Sequence, residues 1–141
     1  MEVQRFLAAQ QGVYFDALEE IKAGSKRTHW MWFIFPQLKG LGHSPMANYY
    51  GIKDIGEAEK YHNHPILGSR LVEISKALLS LQGVSVNSVF GYPDDAKLHS
   101  SMTLFSHVPG ADPVFEAVLD LYFDGKPDAL TVQLLSGANQ R

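Results

Sequence analysis

The chain has 141 residues, 45% of them hydrophobic, with a formal charge of −3 and no cysteine. That composition supplies one core burying about two thirds of the unfolded surface. It excludes the broad basic field that nonspecific nucleic-acid binding draws on, and with it disulfides, thiolate catalysis and cysteine-ligated metals. No apolar run approaches the roughly 20 residues of a bilayer span, and Met1-Glu2-Val3-Gln4-Arg5 lacks a secretory apolar region. The expectation is a soluble cytoplasmic protein with no membrane partner.

From Val3 to Ala23 the apolar positions Phe6, Ala9, Val13, Ala17 and Ile21 recur at three- and four-residue spacing, and Gly24 follows, which predicts one first helix. Trp30 to Phe35 is apolar on all sides and is read as a short buried helix stopped by Pro36. Ser44 and Pro45 form a cap and first-turn pair for a helix through Tyr50. Asp54-Ile55-Gly56-Glu57 has the pattern of a capping box opening a helix over 55–62. After Pro65, Ile66, Leu67, Leu71, Ile74, Leu78 and Leu81 lie on one stripe ending at Gly83. Ser85 to Phe90 adds one or two turns, and Pro93-Asp94-Asp95 opens a segment whose stripe is Leu98, Met102 and Phe105. Asp112-Pro113 starts a helix through Phe123, Asp128 caps a last one through Leu135, and 136–141 form a frayed tail. No alternating strand pattern appears, so the fold class is all-α, a single domain over 1–135 with seven to nine helices.

Taken together, Gln4-Arg5-Phe6, Gln10 to Tyr14, the run His29 to Leu41, His64 to Gly68 with Arg70-Leu71, Phe90-Gly91, Asp94 with Lys97-Leu98, and Ser100 to Phe105 resemble the bacterial domain-of-unknown-function family 1810. The resemblance spans about 2–135 and implies a compact helical fold, without implying a reaction. Some members carry the label calpastatin, but calpastatins are disordered, whereas this chain is apolar and patterned.

Polar groups border the aromatic run. His29 follows Lys26 and Arg27 and suits acid, base or ligand-bonding work, or alternatively a structural cap. Trp30, Trp32, Phe33, Phe35 and Tyr49 offer a surface for a planar ring, or ordinary core packing; Gln37 and Arg70 supply polar edges, with Arg27 or Arg70 near an anion. Asp94, Lys97 and Ser101 add an acid, a cation and a hydroxyl. The four-residue spacing of Lys97 and Ser101 permits a Ser-Lys pair, against the alternative that Ser100 and Ser101 bond backbone carbonyls and Asp94 caps its helix. His62 and His64 do not share a helical face or complete a zinc pattern, and His99 and His107 read as structural, so no metal and no cofactor is expected.

These residues predict a pocket for a small polar or nucleotide-like ligand, with His29, Asp94, Lys97 and Ser101 as catalytic candidates and Trp30, Trp32, Phe33, Gln37 and Arg70 as binding candidates. Thr28-His29-Trp30 is also weakly similar to helical NAD- and ADP-ribose-associated domains, which implies hydrolysis of an N-glycosidic bond, although Thr28 stands where that pattern has an acid. The alternative is a protein-interaction module presenting exposed aromatics.

Overall fold

Capping side chains start several helices where the sequence marks them. The computed structural model describes residues 3–139 and places ten helices among them: α1 (Gln4–Gln10), α2 (Tyr14–Lys22), α3 (Met31–Ile34), α4 (Pro45–Tyr50), α5 (Ile55–Asn63), α6 (Leu67–Leu79), α7 (Val86–Phe90), α8 (Asp94–Ser106), α9 (Val114–Phe123) and α10 (Ala129–Asn139). Ser44 Oγ accepts the Ala47 amide at 3.1 Å to open α4, and Ser85 and Ser88 form a reciprocal capping box on α7. Asp128 Oδ2 accepts the Thr131 amide at 3.0 Å and its hydroxyl at 2.6 Å, opening α10. Each cap satisfies amides that the first turn leaves without partners, a contribution of about 1 kcal/mol.

The all-helical expectation holds: no strand forms among the described residues, where the extended backbone contributes a single parallel bridge between Leu38 and Ile52. The count is corrected from seven to nine helices to ten, partly because the expected first helix is two. Gly12, at φ +76°, breaks it; a residue with a Cβ would be strained there. The break turns Gln10 inward, where its amide donates to the Phe33 carbonyl at 2.8 Å and the Tyr61 hydroxyl at 2.9 Å. α10 runs to Asn139, so the helix continues past the expected start of the tail at Ser136, whose last residues, 140 and 141, lie outside the described ones.

The expected Asp54 box forms by half. Asp54 Oδ1 accepts the Glu57 amide at 2.9 Å, but the Glu57 carboxylate accepts the Lys53 amide at 2.7 Å and pairs with Arg5 at 3.3 Å. Its reach is thereby spent on tying α1 to α5.

One apolar cluster joins all this. α6 packs against α2, α5 and α9, and α8 against α5, α7, α9 and α10. α8 is enclosed over its second half, where Ser100, Ser101, Met102, Thr103, Leu104 and Phe105 are all buried. The buried hydroxyls are mostly answered: Ser100 Oγ donates to the Ala96 carbonyl and to Asp128, and Thr103 Oγ1 donates to the His99 carbonyl while accepting the Asp128 amide. No helix among the described residues is long and apolar enough to cross a membrane.

Candidate functional site

The N-terminus of α8 meets the loop before α3 at a cleft of about 320 Å³ whose walls include Lys26, His29, Trp32, Tyr92, Asp94 and Lys97. Its electrostatic centre is Asp94. One carboxylate oxygen lies 2.8 Å from Lys26 Nζ and the other 3.6 Å from Lys97 Nζ. Each ammonium also sits over an indole, Lys26 at 4.8 Å from the Trp30 ring and Lys97 at 4.9 Å from Trp32. Negative ring faces hold the two cations side by side around one anion.

The lysines differ in freedom. The Lys26 side chain is 6% exposed and is held by two acceptors, Asp94 and the Thr28 carbonyl. Lys97 is 24% exposed and held by a longer ion pair.

Glu20 fixes the loop that delivers Lys26 and His29. Its carboxylate accepts the Arg27 amide at 2.7 Å, the Thr28 amide at 3.1 Å, the Thr28 hydroxyl at 2.6 Å and the Trp30 indole N–H at 3.0 Å. Burial alone pushes the Glu20 carboxyl up, but the hydrogen bonds, the Thr28 hydroxyl foremost, outweigh it and bring the pKa from 4.5 down to about 2. A depressed folded-state pKa contributes stability that is present above the unfolded value and lost as pH falls through the folded one. Glu20→Gln is therefore expected to cost about 1–2 kcal/mol near neutral pH. In urea titrations that difference fades between pH 4.5 and about 2; a constant difference across that window would show that the carboxylate's charge is not what holds the loop.

His29, Trp32, Asp94 and Lys97 are thus brought together. The other candidates are not. Trp30 is fully buried, tilted against Phe35 at 6.1 Å, and Phe33 packs its ring on Tyr50 at 5.4 Å. Gln37 lines a separate crevice with Trp32 and Tyr50. Arg70 donates to Gln10 Oε1 at 3.3 Å and lies over the Tyr14 ring, in a polar network where Tyr14 also donates to Glu73. Burial first, and then the bond to Glu73, push the Tyr14 hydroxyl up, so it stays a donor. Ser101 is fully buried, and its Oγ has no partner; the Ser-Lys pair that the spacing permitted does not form, because Lys97 turns toward Asp94 and Trp32. The aromatic run is consequently core, with Trp32 its half-buried exception, and offers no exposed aromatic patch.

Three contributors were not singled out from the sequence: Lys26, Glu20 and Tyr92. Lys26 stands four residues before Trp30, the spacing that puts a cation over a ring when the intervening backbone curls. Tyr92, 84% exposed at the cleft mouth, carries no sequence signal beyond its place between Gly91 and Pro93. Among the described residues no group of three or more histidines and acids is arranged to hold a metal.

A crystal structure of the conserved hypothetical protein Rv1873 from Mycobacterium tuberculosis is similar to this chain, with 49% identity over 96% of both chains and a TM-score of 0.94. No curated protein matches. The family described as "Protein of unknown function (DUF1810)" matches residues 1–135, nearly the whole length over which the helices, the cleft and its cations are built, and the chain belongs to that family.

Proposed function

We propose that the cleft at the start of α8 binds a small anionic ligand of nucleotide-like chemistry, one acidic group beside a flat or apolar part. The observation that carries this reading is the pair of ammonium groups seated on tryptophan faces and sharing a single carboxylate. Two cations less one anion leave the cleft an excess charge of +1, and an ammonium pre-oriented over an indole face and partly shielded from water attracts an anion better than one in open water. Lys97 is the group free to turn to the ligand, Lys26 holds Asp94 in place, and His29 adds a polar group at the rim. The exposed Tyr92 ring supplies a face for a planar part. The volume falls at the small end of ordinary ligand sites.

Recognition is favoured over bond cleavage. Asp94 is the one acid among the lining residues and is already committed to two cations, leaving no second carboxylate for acid–base work at a glycosidic bond.

The test is a thermal-shift series with nucleotides, ADP-ribose and small carboxylates, since a ligand that binds only the folded state raises the midpoint by mass action. Wild type is expected to respond to at least one phosphate-bearing compound. Lys97→Ala and His29→Ala are expected to abolish the shift while leaving the unliganded midpoint within a few degrees, because both side chains reach water. A shift that survives both substitutions would place the ligand elsewhere. Release of adenine from ADP-ribose would establish N-glycosidic hydrolysis instead.

A further inference from the structure

The cations at the start of α8 do not make a positive surface. The chain carries a net charge of −3, and two further carboxylates stand close to the cleft lining. Asp95, next to Asp94, gives its oxygens to the Ala96 amide at 2.8 Å and the Asn87 side-chain amide at 3.1 Å. Glu20, which holds the indole on which Lys26 sits, is answered by two amides, a hydroxyl and an indole N–H. Neutral donors of this kind orient a carboxylate without cancelling its charge. The positive field of the cleft is therefore short-ranged.

Its one open point is Lys97. The ammonium lies 3.6 Å from Asp94, outside hydrogen-bond distance, and it makes no hydrogen bond among the described residues. Three N–H donors on a side chain only 24% exposed are thus left for a ligand, next to a standing carboxylate.

We infer that this cleft selects a ligand with a single negative charge beside its ring: a phosphodiester nucleotide or an aromatic carboxylate, and not a phosphate monoester. This rests on the reading of the cleft as an anion site. One oxygen of the anion accepts from Lys97 on the side away from Asp94, and the ring lies against Tyr92 at the cleft mouth. A second charge finds no second open ammonium, and it meets Asp94 and the negative field of the chain. Attraction to the cleft grows in proportion to the ligand's charge, whereas the cost of drawing the anion out of water grows with the square of that charge. The first charge is worth binding and the second is not. Asp94 is the repulsive element that makes the choice.

The test is two ladders of probes titrated into the full chain at low salt and about pH 8, where a phosphate monoester carries close to two charges. One ladder is adenosine, cyclic AMP and AMP; the other is nicotinamide, nicotinate and quinolinate. Backbone amide shifts at His29, Trp32 and Lys97 report binding. The singly charged member is expected to bind tightest in at least one ladder, about tenfold or more ahead of the doubly charged one. Which ladder responds distinguishes a phosphodiester from a carboxylate. Asp94→Asn raises the excess charge of the cleft from one to two and is expected to remove the preference. Adding Lys26→Met returns the excess to one, leaves no buried ammonium unpaired and is expected to restore it. The wild-type ladders decide without Asp94→Asn if that variant does not fold. Binding of AMP or quinolinate as tight as that of the singly charged member, or an unchanged preference in Asp94→Asn, would overturn the inference and leave the anion site standing. No saturable shift with any charged probe by about 10 mM would overturn both.

Discussion

Trp30→Ala is expected to lower stability by about 3–5 kcal/mol, the largest loss from any single change in the aromatic run. The indole is fully buried, and three kinds of contact converge on it: the tilted Phe35 ring, the Lys26 ammonium over its face and the Glu20 carboxylate on its N–H. Truncation empties a large volume, strands a nearly buried lysine above it and removes one of four bonds holding the loop to α2. At about 3 °C per kcal/mol for a chain of this size, the midpoint should fall by about 10 °C or more. Trp32→Ala, two residues on, should cost less, about 1–2 kcal/mol, because that ring is only partly buried at the cleft wall and loses chiefly its packing on Lys97. Thermal unfolding of the two variants side by side checks this, and equal losses would contradict the division of the run into core and cleft wall.

That division was not legible in the sequence, and the reason is physical. Trp30 and Trp32 are both surrounded by apolar neighbours, and a run apolar on every side has no periodicity to say which ring faces inward. Elements with a punctuating residue behave differently. Ser44-Pro45, Asp54, Ser85 and Asp128 each name a helix start by local chemistry, a side-chain oxygen within reach of an amide three residues on, and four of the ten helices begin there. Local signals failed where tertiary contact overrode them. Glu57 abandons the Asp54 amide for Lys53 and Arg5, and the stripe expected to run unbroken from Phe6 to Ile21 is divided at Gly12, where the chain turns Gln10 inward to Tyr61 and Phe33.

The site followed the same rule. Asp94 and Lys97 are one turn apart, so their proximity is local and visible in the sequence. Lys26 and Glu20 come from the other side of the cleft, and their meeting with α8 and Trp30 depends on how the loop is pulled back onto α2. Ser101 shows the converse error: it shares the α8 stripe with Asp94 and Lys97, but one more turn carries it beneath the surface and out of reach of any ligand at the cleft mouth.

Asp94→Ala should separate the structural role of the ion cluster from its binding role. Removing the carboxylate leaves Lys26, 6% exposed, with a buried charge answered only by a carbonyl and an indole face. Stranding one member of a buried pair costs about 3–5 kcal/mol; because Asp94 is 21% exposed and water reaches the cleft, about 2–4 kcal/mol is expected in chemical denaturation. Lys97→Ala, breaking only the longer and wetter pair, should cost less than about 1 kcal/mol. Adding Lys26→Met to Asp94→Ala should restore most of the loss, since the penalty belongs to the unpaired charge and an apolar side chain can occupy the same space on Trp30. Binding should move the opposite way. Asp94→Ala raises the excess positive charge of the cleft from one to two, so an anion that stabilises wild type should bind at least as well to the destabilised variant, while Lys97→Ala stays near wild-type stability and loses the anion. If Asp94→Ala instead proves as stable as Lys97→Ala, or loses the anion along with its stability, then the carboxylate touches the ligand itself and the cleft selects a cation or a hydrogen-bond donor.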